Sequence, residues 1–254
     1  MVTLKYFLID SYQIPVMIIN LKDKIILNIP TQIGCPINCS FCVSSQKDFV
    51  RSLTSSEIIK IIDKSLSAKD TLISFTGEGE AILNLSNVNL AISHFDSKDN
   101  VVGFRLCMSG FNSKRLESLI SPVKKPLDLQ VSLHSPFDSK RLELIQHTDD
   151  ISDIFNHIRL NHFKFQSVSI NYVLIEGFND TNEDLYQLKK IIQNNWHIKL
   201  NPLLSDDPDY IPSSRVDIFF SDLKKNRFLV SKFHKIGSNI KNKLFNNLTY
   251  IINH

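Results

Sequence analysis

The sequence predicts an α/β protein, a partial (β/α)6 TIM-like barrel carrying a short N-terminal β extension. Two observations lead there. Short β-branched runs alternate with helical patterns through six or seven strand–helix units, the arrangement of a parallel sheet wrapped by helices. Segments of unrelated composition that carry reactive groups also follow consecutive predicted strands, and in such barrels reactive groups sit at the strands' C-terminal ends.

In chain order, Val16–Asn20 and Lys24–Ile29 read as strands joined by a turn at Leu21–Asp23. Thr54 and Glu57 have the spacing of a capping box, and the helix they open presents Ile58, Ile61, Ile62 and Leu66 on one face. Thr71–Phe75 and Val101–Met108 are strands, and Ser113–Ile120 reads as a helix. Strand Leu127–Leu133, helix Ile151–Leu160, strand Ser167–Leu174 and helix Glu183–Gln193 follow. A short strand at His197–Leu200, helix Ser214–Lys224 and strand Phe228–Phe233 complete the pattern. Residues 1–254 form one domain on this reading: N-terminal strands in 1–30, the partial barrel in 31–235 and a C-terminal tail in 236–254.

Hydrophobic residues at 43% and charged residues at 22% are ordinary globular values. A net charge of +3 without any dense basic run does not describe a dedicated nucleic-acid binder; Lys124-Lys125, Lys189-Lys190 and Lys224-Lys225 fit solvated surface. Lys5 and Asp10 interrupt the apolar N-terminus, and no small-residue cleavage site follows. No run reaches the ~18 apolar residues needed to span a bilayer. These features predict a cytoplasmic protein with no membrane partner.

The chemistry-bearing segments line one predicted rim. Gly34–Cys42 follows the first barrel strand, Gly77–Glu80 the second and Cys107–Gly110 the third; Ser132–His134 ends the fourth, and Glu176–Asp180 follows the fifth. Three of the four cysteines, Cys35, Cys39 and Cys42, fall within eight residues, with Phe41 just before the last. Such crowding points to metal ligation rather than disulfides. Three thiolates suit a four-iron cluster with one iron left open, which can chelate an amino and a carboxylate group. A zinc knuckle is the other reading; it needs a fourth ligand, and Cys107 is the only cysteine left.

This cysteine spacing resembles the signature of the radical S-adenosylmethionine (SAM) enzymes. The resemblance extends to the adenine-C2 RNA methyltransferases and their C8-methylating relatives through Thr31–Pro36 (TQIGCP), Phe75–Asn84, Val131–Pro136, Asp138 with Arg141, Tyr172–Asp180 (YVLIEGFND) and Ser213–Asp217 (SSRVD). It covers roughly residues 14 to 240 in order. The resemblance implies a [4Fe–4S] cluster on the three cysteines, and SAM bound with its amino group on Glu80. Gly77 and Gly79 would permit close approach, although Ala81 stands where the family usually has proline. Ser132, His134, Cys107 and Ser109 fall on other SAM-contact segments. Taken alone, His134 reads equally as a hydrogen-bonded rim histidine, and Cys107 as a buried strand cysteine.

The resemblance stops at the methyl-transfer chemistry. The methyl-carrier position falls on Leu244, when Gly237–Ile240 is set on the family's terminal segment, and the resolving position on Asn28. Neither side chain replaces a thiolate nucleophile. Only 34 residues precede Cys35, so the family's N-terminal accessory domain is not expected; Pro202-Leu203-Leu204 replaces a proline–asparagine loop, and Phe233 and Ile236 replace basic residues. The chain is therefore expected to use the 5′-deoxyadenosyl radical directly, by hydrogen abstraction from a small-molecule or nucleotide substrate. It would depend on an external flavodoxin- or ferredoxin-like electron donor. The competing readings are an RNA- or peptide-modifying enzyme that works with a partner, and a non-catalytic cluster- or zinc-binding scaffold. Asp138, Arg141, Asn171, Tyr172, Glu176, Asn179 and Asp180 are polar rim residues that could face substrate or be structural.

Overall fold

The computed structural model describes residues 2–232 except 43, 45–47, 202 and 204–208. The chain opens on a hairpin, β1 (Val2–Ile9) and β2 (Tyr12–Asn20), whose tip residues Asp10 and Ser11 take φ of 48° and 69°. Two positive φ values in a two-residue tip match the twist of the flanking strands. β2 then pairs antiparallel with β3 (Ile25–Asn28), and a two-residue ladder of β4 (Gln32–Ile33) with β5 (Arg51–Ser52) follows.

From β3 onward the main sheet is parallel. Its strands run β3, β6 (Thr71–Phe75), β7 (Val101–Met108), β8 (Leu127–Ser132), β9 (Ser167–Val173), β10 (His197–Asn201) and β11 (Leu229–Lys232), each beside the next. The crossovers carry α1 (Ser55–Asp63), α2 (Leu85–Phe95), a 3-10 turn at Ser113–Ser118, α3 (Asp138–Leu144) with α4 (Ile151–Leu160), α5 (Asn182–Ile191) and α6 (Val216–Lys225). Among the described residues this makes six β-α crossovers, an open barrel of the expected (β/α)6 kind with the hairpin as its β extension.

Alternation along the strands divides two environments. Leu106, Leu129, Val131, Ile170 and Ile198 are fully buried in one apolar cluster with Ile61, Ile92, Ile154, Leu188 and Phe219 of the helices. Each such side chain contributes about 1.5–3 kcal/mol by leaving water. The alternate positions Arg105, Cys107, Gln130, Asn171 and Lys199 face the other way, into the barrel, and are only partly buried.

The Thr54–Glu57 capping box is present in both directions: Thr54 Oγ1 accepts from the Glu57 N–H, and Glu57 Oε2 accepts from the Thr54 N–H at 2.8 Å. Other elements differ from the sequence reading. The strand expected from Val16 begins at Tyr12, and β1 was read as interrupted apolar sequence because Lys5 sits in its exposed register. The helix expected at Ser113–Ile120 is a 3-10 turn; it has a single apolar anchor, Leu116, and Pro122 lies just beyond. Helices α2 and α3 were not expected. α2 nevertheless buries Leu85, Val88, Ala91, Ile92 and Phe95 at regular helical spacing. The strand end at Phe233 and the tail from residue 236 lie outside the described residues.

Candidate active site

The cysteine loop leaves the barrel beyond β3 and is seated on the missed helix α3. Ser40 N–H donates to the Leu144 carbonyl at 2.9 Å, and Asn38 Nδ2 donates to Gln146 Oε1 at 3.1 Å. Cys35, Cys39 and Phe41 pack on a small apolar cluster of Ile37, Leu144, Ile145, Val173, Ile175 and Leu203. The loop turns at Gly34, whose φ is +73° and where a Cβ would sit 2.2 Å from the Asp48 carbonyl oxygen. All four cysteines are free thiols. Burial pushes the Cys35 thiol up to about 12, opposed by the Ile37 backbone N–H, and raises Cys39 as well, with Cys42 as the next cause. Thiols buried in this way are stabilised as thiolates by a positive centre, which is what iron supplies. Among the described residues no three of His, Cys, Asp and Glu group as ligands of one ion. A four-iron cluster asks instead for one thiolate per iron.

The Gly77–Glu80 loop is laced to the root of the cysteine loop. The Glu78 carbonyl accepts from Thr31 N–H at 2.8 Å, and Glu78 Oε1 accepts from Gly34 N–H at 2.6 Å. Glu80 N–H donates to Gln32 Oε1 at 2.8 Å. Gly79 has φ +102°, and a Cβ there would lie 2.7 Å from Gln32 Cβ, so the close approach is required at Gly79; around Gly77 the space is open. Glu80 itself is 5% exposed. Its Oε2 accepts from Ser109 N–H at 2.9 Å, whereas Oε1 has no hydrogen-bond partner. Burial pushes this carboxyl up to about 7, against the pull of the Ser109 hydrogen bonds. An unpartnered, buried carboxylate oxygen beside the cysteine loop fits an ammonium group, because the charge-assisted contact restores the ionised form.

His134 closes a third side. Its ring meets Phe41 edge-on at 5.2 Å between centroids, and its Nδ1 accepts from Val173 N–H at 3.1 Å. Burial, then the nearby Arg141 charge, pushes the imidazole down to about 3. The ring is therefore neutral, with its proton on Nε2, and offers a donor rather than a charge. Backbone support comes from residues that the sequence left ambiguous. Asn179 Nδ2 donates to the His134 and Val173 carbonyls, and Tyr172 Oη to the Asn179 carbonyl. Asp138 caps α4 through Ile151 N–H, Asp180 accepts from Gly177 N–H, and Thr181 rather than Asn179 or Asp180 caps α5. These side chains are structural.

Arg141 is fully buried, and its hydrogen bonds go chiefly to the rim backbone. Its guanidinium donates to the Ser132 carbonyl at 3.0 Å, the Ser109 carbonyl at 2.9 Å, Thr148 Oγ1 and the Leu133 carbonyl, tying two SAM-contact segments of the resemblance together. Arg141→Met leaves those acceptors unsatisfied, at about 1–3 kcal/mol each. We expect a loss of about 3 kcal/mol or more in denaturant unfolding; a loss under about 1 kcal/mol would show that the carbonyls find other donors. Cys107 sits lower, on the inner face of β7, with Sγ 3.1 Å from Thr76 Oγ1. Ser132 faces inward at the end of β8, in register with Asn171. Gln32 and Glu78, which position the Glu80 loop, were not singled out from sequence; the contacts join positions 44 and 48 residues apart.

Residues 29–188 match the radical SAM superfamily, and the chain belongs to it. Members of the superfamily use a [4Fe–4S] cluster and SAM, and these are the cofactors of this chain. Among curated proteins it is similar to the probable dual-specificity RNA methyltransferase RlmN of Petrotoga mobilis, 32% identical over 203 residues, covering 74% of this chain and 57% of that relative. The dual-specificity RNA methyltransferase RlmN of Buchnera aphidicola subsp. Schizaphis graminum is 31% identical over 239 residues, covering 87% and 66%. The chain thus spans less than two thirds of the length of these relatives. A radical SAM methyltransferase from Sphaerobacter thermophilus shares the fold, with a TM-score of 0.77 and 21% identity over 91% of this chain and 72% of that one. No described helix is long and apolar enough to cross a membrane.

Proposed function

We propose that the protein cleaves SAM reductively and directs the resulting radical to hydrogen abstraction from a small-molecule or nucleotide substrate. The Glu80 carboxylate carries this reading: it is held at one oxygen by Ser109 N–H and unpartnered at the other, beside the three-cysteine loop. The cluster would supply one-electron reduction of SAM to methionine and the 5′-deoxyadenosyl radical, with a flavodoxin- or ferredoxin-like protein as the electron donor. Cys35, Cys39 and Cys42 would hold the irons, and Glu80 would hold the SAM ammonium. Phe41 and neutral His134, packed edge-on, would flank the bound SAM, while Gly79 keeps the loop backbone close. Ser109, Ser132 and Cys107 complete the proposed SAM surround. The surrounding barrel excludes water from the reacting carbon.

RNA modification with a partner is the second reading, favoured by the names of the curated relatives. A methylated-cysteine route is not proposed. Asn28 ends β3 with its amide on the Met17 sulfur at 3.6 Å, and an amide has no nucleophilic thiolate to offer. Leu244, the residue at the carrier position, lies outside the described residues. The test is anaerobic incubation of reconstituted protein with SAM and a strong reductant. We expect slow release of 5′-deoxyadenosine even without substrate; its absence from a fully cluster-loaded preparation would sink the proposal. Methyl-labelled SAM in the same experiment distinguishes the second reading, since label in RNA adenine or on Cys107 would establish methyl transfer.

A further inference from the structure

The inner face of this barrel is charged where such barrels are ordinarily filled by Val, Ile and Leu. Parallel register places Arg105 beside Asp128, Cys107 beside Gln130, and Lys199 beside Asn171, all on the face turned away from the helices. Lys199 reaches from β10 over β9 to β8, where its Nζ donates to Gln130 Oε1 at 2.9 Å. A neutral amide is thus the acceptor that the lysine reaches. The Arg105 guanidinium stands 3.9 Å from the Asp128 carboxylate, beyond hydrogen-bond reach, and its Nε is buried without a partner. Asn171 Oδ1, in the same layer as Lys199, is buried and unpartnered too.

Among the described strand residues of this face, two cations therefore meet one carboxylate. The surplus is felt: burial, then repulsion from Arg105, pushes the Lys199 ammonium down to about 8. Both cations also act on Cys107, whose Sγ touches Thr76 immediately before Gly77. Register sets Arg105 beside Ser74, two residues before Thr76, so Arg105 lies below the loop that carries Glu80, while Lys199 starts level with Ser132 and reaches down to Gln130. A half-buried excess of positive charge is costly unless an anion neutralises it. Lys199 Nζ, at Gln130, stands one inward layer above the Arg105–Asp128 pair, and a planar guanidinium with a compact ammonium above it suits an oxyanion, which takes paired hydrogen bonds from the first and a point charge from the second.

We propose that Arg105 and Lys199 hold an oxyanion group of the substrate, a carboxylate or a phosphate, inside the barrel below the Glu80 loop. This deepens the proposed function and rests on its placing of the substrate in the barrel. The test uses cluster-loaded protein with SAM, titrated calorimetrically with inorganic phosphate and, separately, with acetate. One of the two should bind saturably, and the preferred probe names the group. Lys199→Gln, which keeps a polar partner for Gln130, and Arg105→Met should each weaken that binding at least tenfold. Lys189→Met, which breaks a surface pair with Asp222, should leave it unchanged. Absence of saturable binding by either anion, or binding indifferent to both inner substitutions, would overturn the proposal. 5′-Deoxyadenosine is measured on the same preparations. Its formation without anion binding removes only the oxyanion site, whereas anion binding without its formation removes the SAM-cleavage reading and leaves the site standing.

Discussion

Alanine at Cys35, Cys39 or Cys42 is expected to abolish the visible absorbance of the anaerobically reconstituted protein and its 5′-deoxyadenosine formation, whereas Cys107→Ala leaves the absorbance intact. The unaltered chain should carry about four irons and four sulfides, the content of one cluster of this type. Each of the three loop thiols would serve a different iron, so losing any one leaves a cluster with two open corners. Cys107 is set apart from them on the inner face of β7, engaged with Thr76. Stoichiometric zinc without labile sulfide would contradict the assignment. Loss of the cluster in Cys107→Ala would reveal a closed four-cysteine site instead.

The second large effect concerns Glu80. Glu80→Gln keeps an oxygen for the Ser109 N–H but removes the charge that would meet the SAM ammonium. A hydrogen bond to a charged group contributes about 1.5–3 kcal/mol, so SAM affinity should fall roughly 10- to 100-fold. Iron and sulfide should be unchanged, because the Glu78–Gly34 bond that anchors the loop to the root of the cysteine loop remains. Equilibrium dialysis of SAM against the cluster-loaded variant measures this. An unchanged Kd would show that the unpartnered oxygen of Glu80 serves another donor.

What was legible in the sequence is local. The cysteine spacing, the Gly77–Glu80 motif and the alternation of strand and helix periods are patterns of neighbouring residues, and they led to the radical SAM superfamily, the barrel and its cofactors. The Thr54 capping box and the β7, β8 and β9 strands were readable for the same reason. Helix α2 is also present as a pattern, in Leu85, Val88, Ala91, Ile92 and Phe95.

Other features existed only once distant segments met. No spacing rule links Glu78 to Gly34, Asn179 to the His134 carbonyl, or Arg141 to Ser109, yet these bonds shape the rim. Arg141 looks like a surface or substrate residue in one dimension; it is buried because converging strand ends present carbonyls that need a donor. The charge of the barrel interior is likewise invisible in the chain, where Arg105, Asp128 and Lys199 are isolated residues of three strands. Strand alternation turns each of them inward, parallel register sets Arg105 beside Asp128, and the Lys199 ammonium reaches down to Gln130 in the layer above that pair. The sequence by itself pointed to the cofactor chemistry, because the motifs that carry the family resemblance are local; the tertiary structure alone decided the interior's electrostatics, because charges sum through space rather than along the chain.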